Sequence, residues 1–240
     1  MSIFSRIFAS KRPTPGVWPN HPTWGALKNG VTIETDDGPR SLWTVACGEL
    51  ALPSGRLAIC DPFTRLAPSG TPFIIAPKGK FPVVVTLTDI SEGQDKSRVR
   101  EAYASIVFSA EDEAYRKPLP LAADGHRRRE PRPGEFAGFA IDSGAACFID
   151  ESAIGTGMPD PQTWKTALFE SGRPDSWSRQ MEDPNHIHAG MANIPLPQAK
   201  RGENVTLFNS GWGDGHYPVI GSFDEQDELV AVHIDFLVLT

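Results

Sequence analysis

The sequence predicts a mainly β protein, an antiparallel sandwich or partly open barrel with one or two inserted helices. Two observations carry that expectation. Gly 22 and Pro 22 together make 44 of 240 residues, about 18% against a usual value near 12%, which favours many turns and few long helices. Between those turns lie short runs that are β-branched or alternate between apolar and polar. With 40% hydrophobic and 22% charged residues the chain can build a core, and disordered, collagenous and membrane-spanning classes are excluded.

The elements follow in order. Residues 1–40 read as an extended N-terminal lead-in and 41–240 as one β-rich domain, since no linker-like change in composition divides the chain. The first twelve residues set Ile3, Phe4, Ile7 and Phe8 at helical spacing beside Arg6, Lys11 and Arg12, without the apolar core of a signal peptide. Pro15, Gly16, Pro19, Pro22 and Gly25 punctuate the rest of the lead-in, whose Trp18 and Trp24 are expected to pack onto the body. Residues 41–52 and 56–60 flank Pro53-Ser54-Gly55 and read as a hairpin. Residues 81–90 contain Val83-Val84-Val85-Thr86, and Ala102, Ala104, Ile106 and Phe108 alternate along the next strand. A second hairpin is expected where Asp142-Ser143-Gly144 separates residues 136–141 from 145–149.

One helix is marked by Asp160 as N-cap, Pro161 at the first position, Trp164, Leu168 and Phe169 as an apolar stripe, and Gly172 at the end. A shorter one starts at Asp175 or Ser176 and ends before Pro184. Strands resume at 204–209, 216–223 and 229–239, the last two joined by the polar tip 224–228. In the last strand Val230, Val232, Ile234, Phe236 and Val238 form a core face, with His233 and Asp235 on the other.

Charge is uneven. No Lys or Arg follows Arg201, and Glu203, Asp214, Asp224, Glu225, Asp227, Glu228 and Asp235 place the whole net charge of −7 in the final stretch. Phosphate binding needs clustered cations, so nucleic acid is not an expected partner. The one basic run, residues 126–132, reads as a solvated loop. Cys47, Cys60 and Cys147 are an odd, sparse set without a Cys-x-x-Cys clamp, which fits a reducing, cytoplasmic setting and buried thiols.

The chemistry-bearing candidates are few. Asn209-Ser210-Gly211-Trp212-Gly213-Asp214-Gly215-His216-Tyr217 alternates glycines with an aromatic and a carboxylate, which permits close approach of a ligand or another strand. Folding the last two strands about their tip pairs residues 216 and 236 and brings Asp214 toward Asp235. With Asp61 and Asp142, these are four carboxylates at strand ends, suited either to Mg²⁺ or Ca²⁺ or to turn capping. His216 and His233, with Asp214, are the candidate proton-moving groups, and Trp212 and Tyr217 candidate binding residues. His186 and His188 have a metal-ligand spacing if extended. No Gly-x-Ser-x-Gly, Gly-x-Gly-x-x-Gly or Walker loop is present.

Pro53-Ser54-Gly55-Arg56-Leu57, Cys60-Asp61-Pro62, Asp142-Ser143-Gly144, Cys147-Phe148-Ile149-Asp150, Ser210-Gly211-Trp212-Gly213-Asp214-Gly215, Tyr217-Pro218-Val219 and Asp235-Phe236-Leu237 together resemble a bacterial family called domain of unknown function 4241. The resemblance spans roughly residues 41–240, its most specific block being Trp212-Gly213-Asp214-Gly215. It implies a bacterial, cytosolic protein and carries over no activity. Two functional classes follow from the residues. One is an interaction protein, of the kind that neutralises a toxin, whose acidic C-terminal third steers it onto a basic partner. The other is a metal-assisted hydrolase built on Asp61, Asp142, Asp214 and Asp235.

Overall fold

The computed structural model describes residues 22–67, 70–123, 126–127, 136, 138–160 and 162–239. Its strands are β1 (Val31–Thr35), β2 (Gly38–Leu52), β3 (Arg56–Cys60), β4 (Phe73–Ile75), β5 (Gly79–Asp89), β6 (Val99–Val107), β7 (Tyr115–Pro118), β8 (Ala122–Ala123), β9 (His126–Arg127), β10 (Gly138–Ile141), β11 (Ala145–Asp150), β12 (Met191–Pro195), β13 (Asn204–Asn209), β14 (Gly215–Phe223) and β15 (Leu229–Asp235). Two helices, α1 (Glu151–Gly157) and α2 (Trp177–Glu182), flank a π-helical turn at Lys165–Phe169. The strands form two antiparallel sheets. One is ordered β1-β2-β5-β6-β15-β14, and the free edge of β14 is shared between β10, opposite its first half, and β7, opposite its second. The other is ordered β12-β13-β11-β3-β4-β8-β9. The expected fold class is the one observed.

Period-two alternation explains the layering. In the second sheet Leu57, Ile59, Ala146, Phe148 and Phe208 face the first sheet and join Val83, Val85, Ile106, Val232 and Ile234 in one core. Their sequence neighbours Ala58, Cys60, Cys147, Ile149, Val205 and Leu207 face the opposite way. There they meet Ile154, Trp164, Phe169, Trp177 and Met181 of the helical layer. The central strands β3, β11 and β13 are thus buried on both faces, and β3 and β11 read as largely apolar runs.

The helices differ in part from expectation. Ser176 caps α2 as predicted, its hydroxyl accepting from the Arg179 amide. Asp160 accepts the Gln162 amide at 2.8 Å, yet the stripe of Trp164 and Phe169 is carried by the π-helical turn rather than a full α-helix; Pro161 lies outside the described residues. Helix α1, hidden in sequence by Gly155 and Gly157, is capped by Asp150 and packs Gly157 against Leu196. Strand β15 ends at Asp235 rather than running to 239, and both its faces are buried.

Both short turn motifs act differently from the hairpins expected of them. Strand β2 pairs with β1 and β5, whereas β3 pairs with β11 and β4, so Pro53-Ser54-Gly55 carries the chain from one sheet to the other. Asp142-Ser143-Gly144 does the same between β10, which pairs with β14, and β11. Turn residues fix a local change of direction. The neighbour that each strand then takes is set by burial, and β3 and β11 gain two covered faces by pairing with each other.

The described part of the lead-in packs as Trp24 suggested. Trp24 lies 4.9 Å from the Tyr103 ring and 5.3 Å from His233, with the Arg116 guanidinium 4.4 Å over it, while β1 adds an edge strand. Trp18, the N-terminal twelve residues and most of the basic run 126–132 fall outside the described residues. No helix among the described residues is long and apolar enough to cross a membrane.

Candidate functional site

The four carboxylates singled out in the sequence are not gathered. Among the described residues no three His, Cys, Asp or Glu side chains are grouped so as to hold a metal ion. Asp61 is fully buried at the end of β3. It accepts the amides of Phe63 and Asp142 at 2.8 Å each, the Thr64 amide at 3.3 Å and the Ser143 hydroxyl at 2.8 Å. It ties the loop after its own strand to the corner before β11. Asp150, equally buried at the end of β11, reciprocates by accepting the amide and hydroxyl of Ser54 in the corner before β3, at 2.8 Å each. Two neighbouring strands thus lock each other's entry corner with the carboxylate at their exits.

The remaining three are separate from Asp61 in role. Asp142 and Asp214 have exposed side chains. Asp235 is buried opposite Tyr103 and accepts the Leu237 amide at 2.8 Å, an Asx turn that ends β15. Pairing runs Val219 to Ile234, one residue from the register read in sequence, and the Tyr217 and Phe236 rings meet edge-on at 5.4 Å.

The candidate histidines divide likewise. His233 is buried with Ser105 Oγ at 2.8 Å from Nδ1 and Ser222 Oγ at 2.9 Å from Nε2. Burial and the nearby Arg116 charge hold its pKa down to about 3, so it stays neutral at physiological pH. His216 is exposed and stacks on Phe136. His186 Nε2 accepts the Asn193 amide at 3.3 Å, and His188 Nδ1 lies 2.9 Å from the Ala189 carbonyl. A carbonyl only accepts, so Nδ1 of His188 carries the proton and Nε2 is left as the acceptor in the neutral ring.

The glycine-rich loop does border an open space. A cleft of ≈ 650 Å³ opens beside the start of β6, the end of α2 and the glycine-rich loop after β13, lined by Arg100, Glu101, Met181, His188, Asn209 and Trp212. Its most unusual member is Glu101, only 7% exposed. Alternation with Tyr103 and Ser105 would turn Glu101 away from the intersheet core. Instead β6 carries an extra residue: Thr86 pairs with Tyr103 but Leu87 with Glu101, skipping Ala102. Because directly paired residues share a face, the bulge moves Glu101 onto the face of Leu87, between the sheets.

Glycines make room for it. A Cβ on Gly190, whose φ is +89°, would stand 2.8 Å from Glu101 Oε1 and 2.4 Å from Asn209 Nδ2. One on Gly211 (φ +63°) would strike the Glu101 carbonyl at 2.6 Å. The loop is held by Gly213 O, which accepts from Ser210 Oγ at 2.7 Å and Tyr217 Oη at 2.9 Å. Burial pushes the Tyr217 phenol up to about 12, so it remains a donor. Trp212 donates through Nε1 to the Leu237 carbonyl at 3.2 Å and stays partly exposed at the cleft.

Burial raises the pKa of Glu101 above the usual carboxylate range, against the opposing pull of its own amide, the Arg100 and His188 charges and the Asn209 side chain. The cleft therefore sets a carboxyl inclined to keep its proton in the same lining as an imidazole whose Nδ1 is turned to a backbone carbonyl. Of the residues singled out in sequence as metal, catalytic or binding candidates, Trp212 and His188 line this cleft, and the four Asp, His186, His216, His233 and Tyr217 do not. Glu101 escaped notice because it precedes an apolar alternating run, and the bulge that re-aims it has no mark in sequence.

A family model described as "Protein of unknown function (DUF4241)" matches residues 50–234, more than three quarters of the chain, and the chain belongs to that family. Searches of the curated proteins and of the solved structures gave no match.

Proposed function

We propose that this DUF4241 member is a binding protein for a small polar molecule, which enters the cleft beside β6 and the glycine-rich loop. The carrying observation is Glu101, a carboxyl turned by a bulge into the lining of a cleft where Gly190 lies too close to its Oε1, and Gly211 too close to its carbonyl, for either to bear a side chain. A volume of ≈ 650 Å³ lies within the range of small-molecule sites. The ligand chemistry that fits is an acceptor for the Glu101 proton, a donor for His188 Nε2 and a flat or apolar part against Trp212.

A second reading, acid–base hydrolysis of the bound molecule, is favoured by the same pair, with Glu101 giving a proton and His188 taking one. It would show as turnover lost in both Glu101→Gln and His188→Ala. Docking of a basic partner on the acidic tip has less support. Asp224 accepts the amides of Gln226 and Glu228 within the turn, and Asp227 pairs with Lys117 and Tyr115. Glu225 and Glu228 remain for such a partner, and a cytosolic location and an Asp-held divalent ion are further proposals without a convergent site.

The test is an NMR screen of the ¹⁵N-labelled full chain with small polar compounds. Binders are expected to shift amides at 99–101, 188–190 and 209–213, and to weaken about tenfold or more in His188→Ala. Binders that all map elsewhere, leaving those three segments unmoved, would overturn the reading.

A further inference from the structure

Cys60 and Cys147 are 87 positions apart in sequence and directly opposite each other in the β3–β11 ladder. Their Sγ atoms are 3.6 Å apart, and both side chains are at most 1% exposed. Cys47, in contrast, lies in the intersheet core with its Sγ 3.8 Å from the Ala192 carbonyl. We propose that Cys60 and Cys147 are a site of covalent modification, a cross-strand disulfide that forms when the chain folds in the presence of a low-molecular-weight disulfide oxidant.

Three features support it. Opposed residues of an antiparallel pair have the Cα separation that disulfides use. A sulfur–sulfur bond is about 2 Å long, so each thiol has less than about 1 Å to travel, within reach of small side-chain rotations. The pair also joins the two strands that carry Asp61 and Asp150, so the covalent link and the two carboxylate locks hold the same ladder.

The chemistry balances with glutathione disulfide as oxidant. One cysteine thiolate attacks a glutathione sulfur, the oxidant's S–S bond breaks and one glutathione leaves as thiol, giving a mixed disulfide on the protein. The second cysteine thiolate displaces the other glutathione. In sum two protein thiols lose two electrons and two protons, and one glutathione disulfide becomes two glutathiones. Burial raises the Cys147 thiol well above its ordinary range, which slows exchange in the folded protein. The link is therefore made while the helical layer over this face, with Trp164 and Trp177, is still undocked.

The experiment refolds the full chain from denaturant in glutathione buffers of graded redox ratio, quenches with an alkylating agent and reads intact mass and peptide maps. The expected product has lost two hydrogen atoms, contains a Cys60–Cys147 cross-linked peptide, and carries the alkyl group on Cys47 alone. Its melting temperature exceeds that of the reduced protein by several degrees. Cys147→Ser and Cys60→Ala each abolish the mass loss. Three alkylated cysteines in the most oxidising buffer, glutathione adducts without a cross-link, or a link to Cys47 would overturn the proposal. So would a cross-linked protein that melts below the reduced one, because the bond would then be incompatible with the native ladder.

Discussion

Asp61 and Glu101 are both carboxyl groups almost without exposure, and they sit at opposite extremes of hydrogen-bond supply. Asp61 is met by three backbone amides and a hydroxyl, drawn from two separate loops. Glu101 faces an open cleft, with an amide side chain and more distant charges in place of that shell. The first arrangement spends a carboxylate on fixing the backbone, and its partner Asp150 repeats it across the β3–β11 ladder. The second leaves a buried acid bordering open space. The carboxylates at the ends of β3 and β11 thus mark architecture in this molecule, and an acid concealed beside an apolar strand marks the cleft.

The largest effect expected from breaking this contrast is at the lock. Asp61→Ala strands the donors on Phe63, Thr64, Asp142 and Ser143, and at about 1 kcal/mol for each lost hydrogen bond the expected loss is about 3–5 kcal/mol of unfolding free energy measured by urea denaturation. A loss under about 1 kcal/mol would mean that the corners are held by packing alone.

An intermediate effect, and of opposite sign, is expected at the cleft. The folded-state pKa of Glu101 is raised above the ordinary 4.5, so the native state holds this proton more tightly than the unfolded chain. Its contribution to stability is full below pH 4.5 and is lost as pH rises through the folded-state value. Glu101→Gln removes that loss. The variant should therefore gain on wild type as pH increases from 4.5 to 8, with equal curves counting against a buried acid. The smallest effect belongs to Asp214, whose exposed side chain predicts a change within about 0.5 kcal/mol for Asp214→Ala by the same denaturation measurement. A larger loss would show that the Trp212-Gly213-Asp214-Gly215 block uses its carboxylate as a lock after all.

Much of the fold is legible in the sequence because its causes are local. The β-branched run at Val83–Val85, the polar tip 224–228 and the Ser176 cap each act within a few residues of themselves, and each element lies where its residues place it. Trp24 was readable as an anchor for a similar reason, being an aromatic stranded among turn residues. Trp212 and the glycines beside it likewise announced a close approach, which Gly211 makes against the Glu101 carbonyl.

Alternation, turn chemistry and capping are short-range rules, and they determined that this chain forms antiparallel strands, where most of those strands begin, and which glycines must admit a neighbour. Which strands lie side by side was decided by tertiary structure. The corners at Pro53-Ser54-Gly55 and Asp142-Ser143-Gly144 join different sheets, because β3 and β11 bury two faces by pairing across 87 residues, a gain no local signal encodes. The same long-range packing brought Cys60 against Cys147, set Asp61 and Asp150 on each other's corners, and through one extra residue in β6 turned Glu101 toward the cleft.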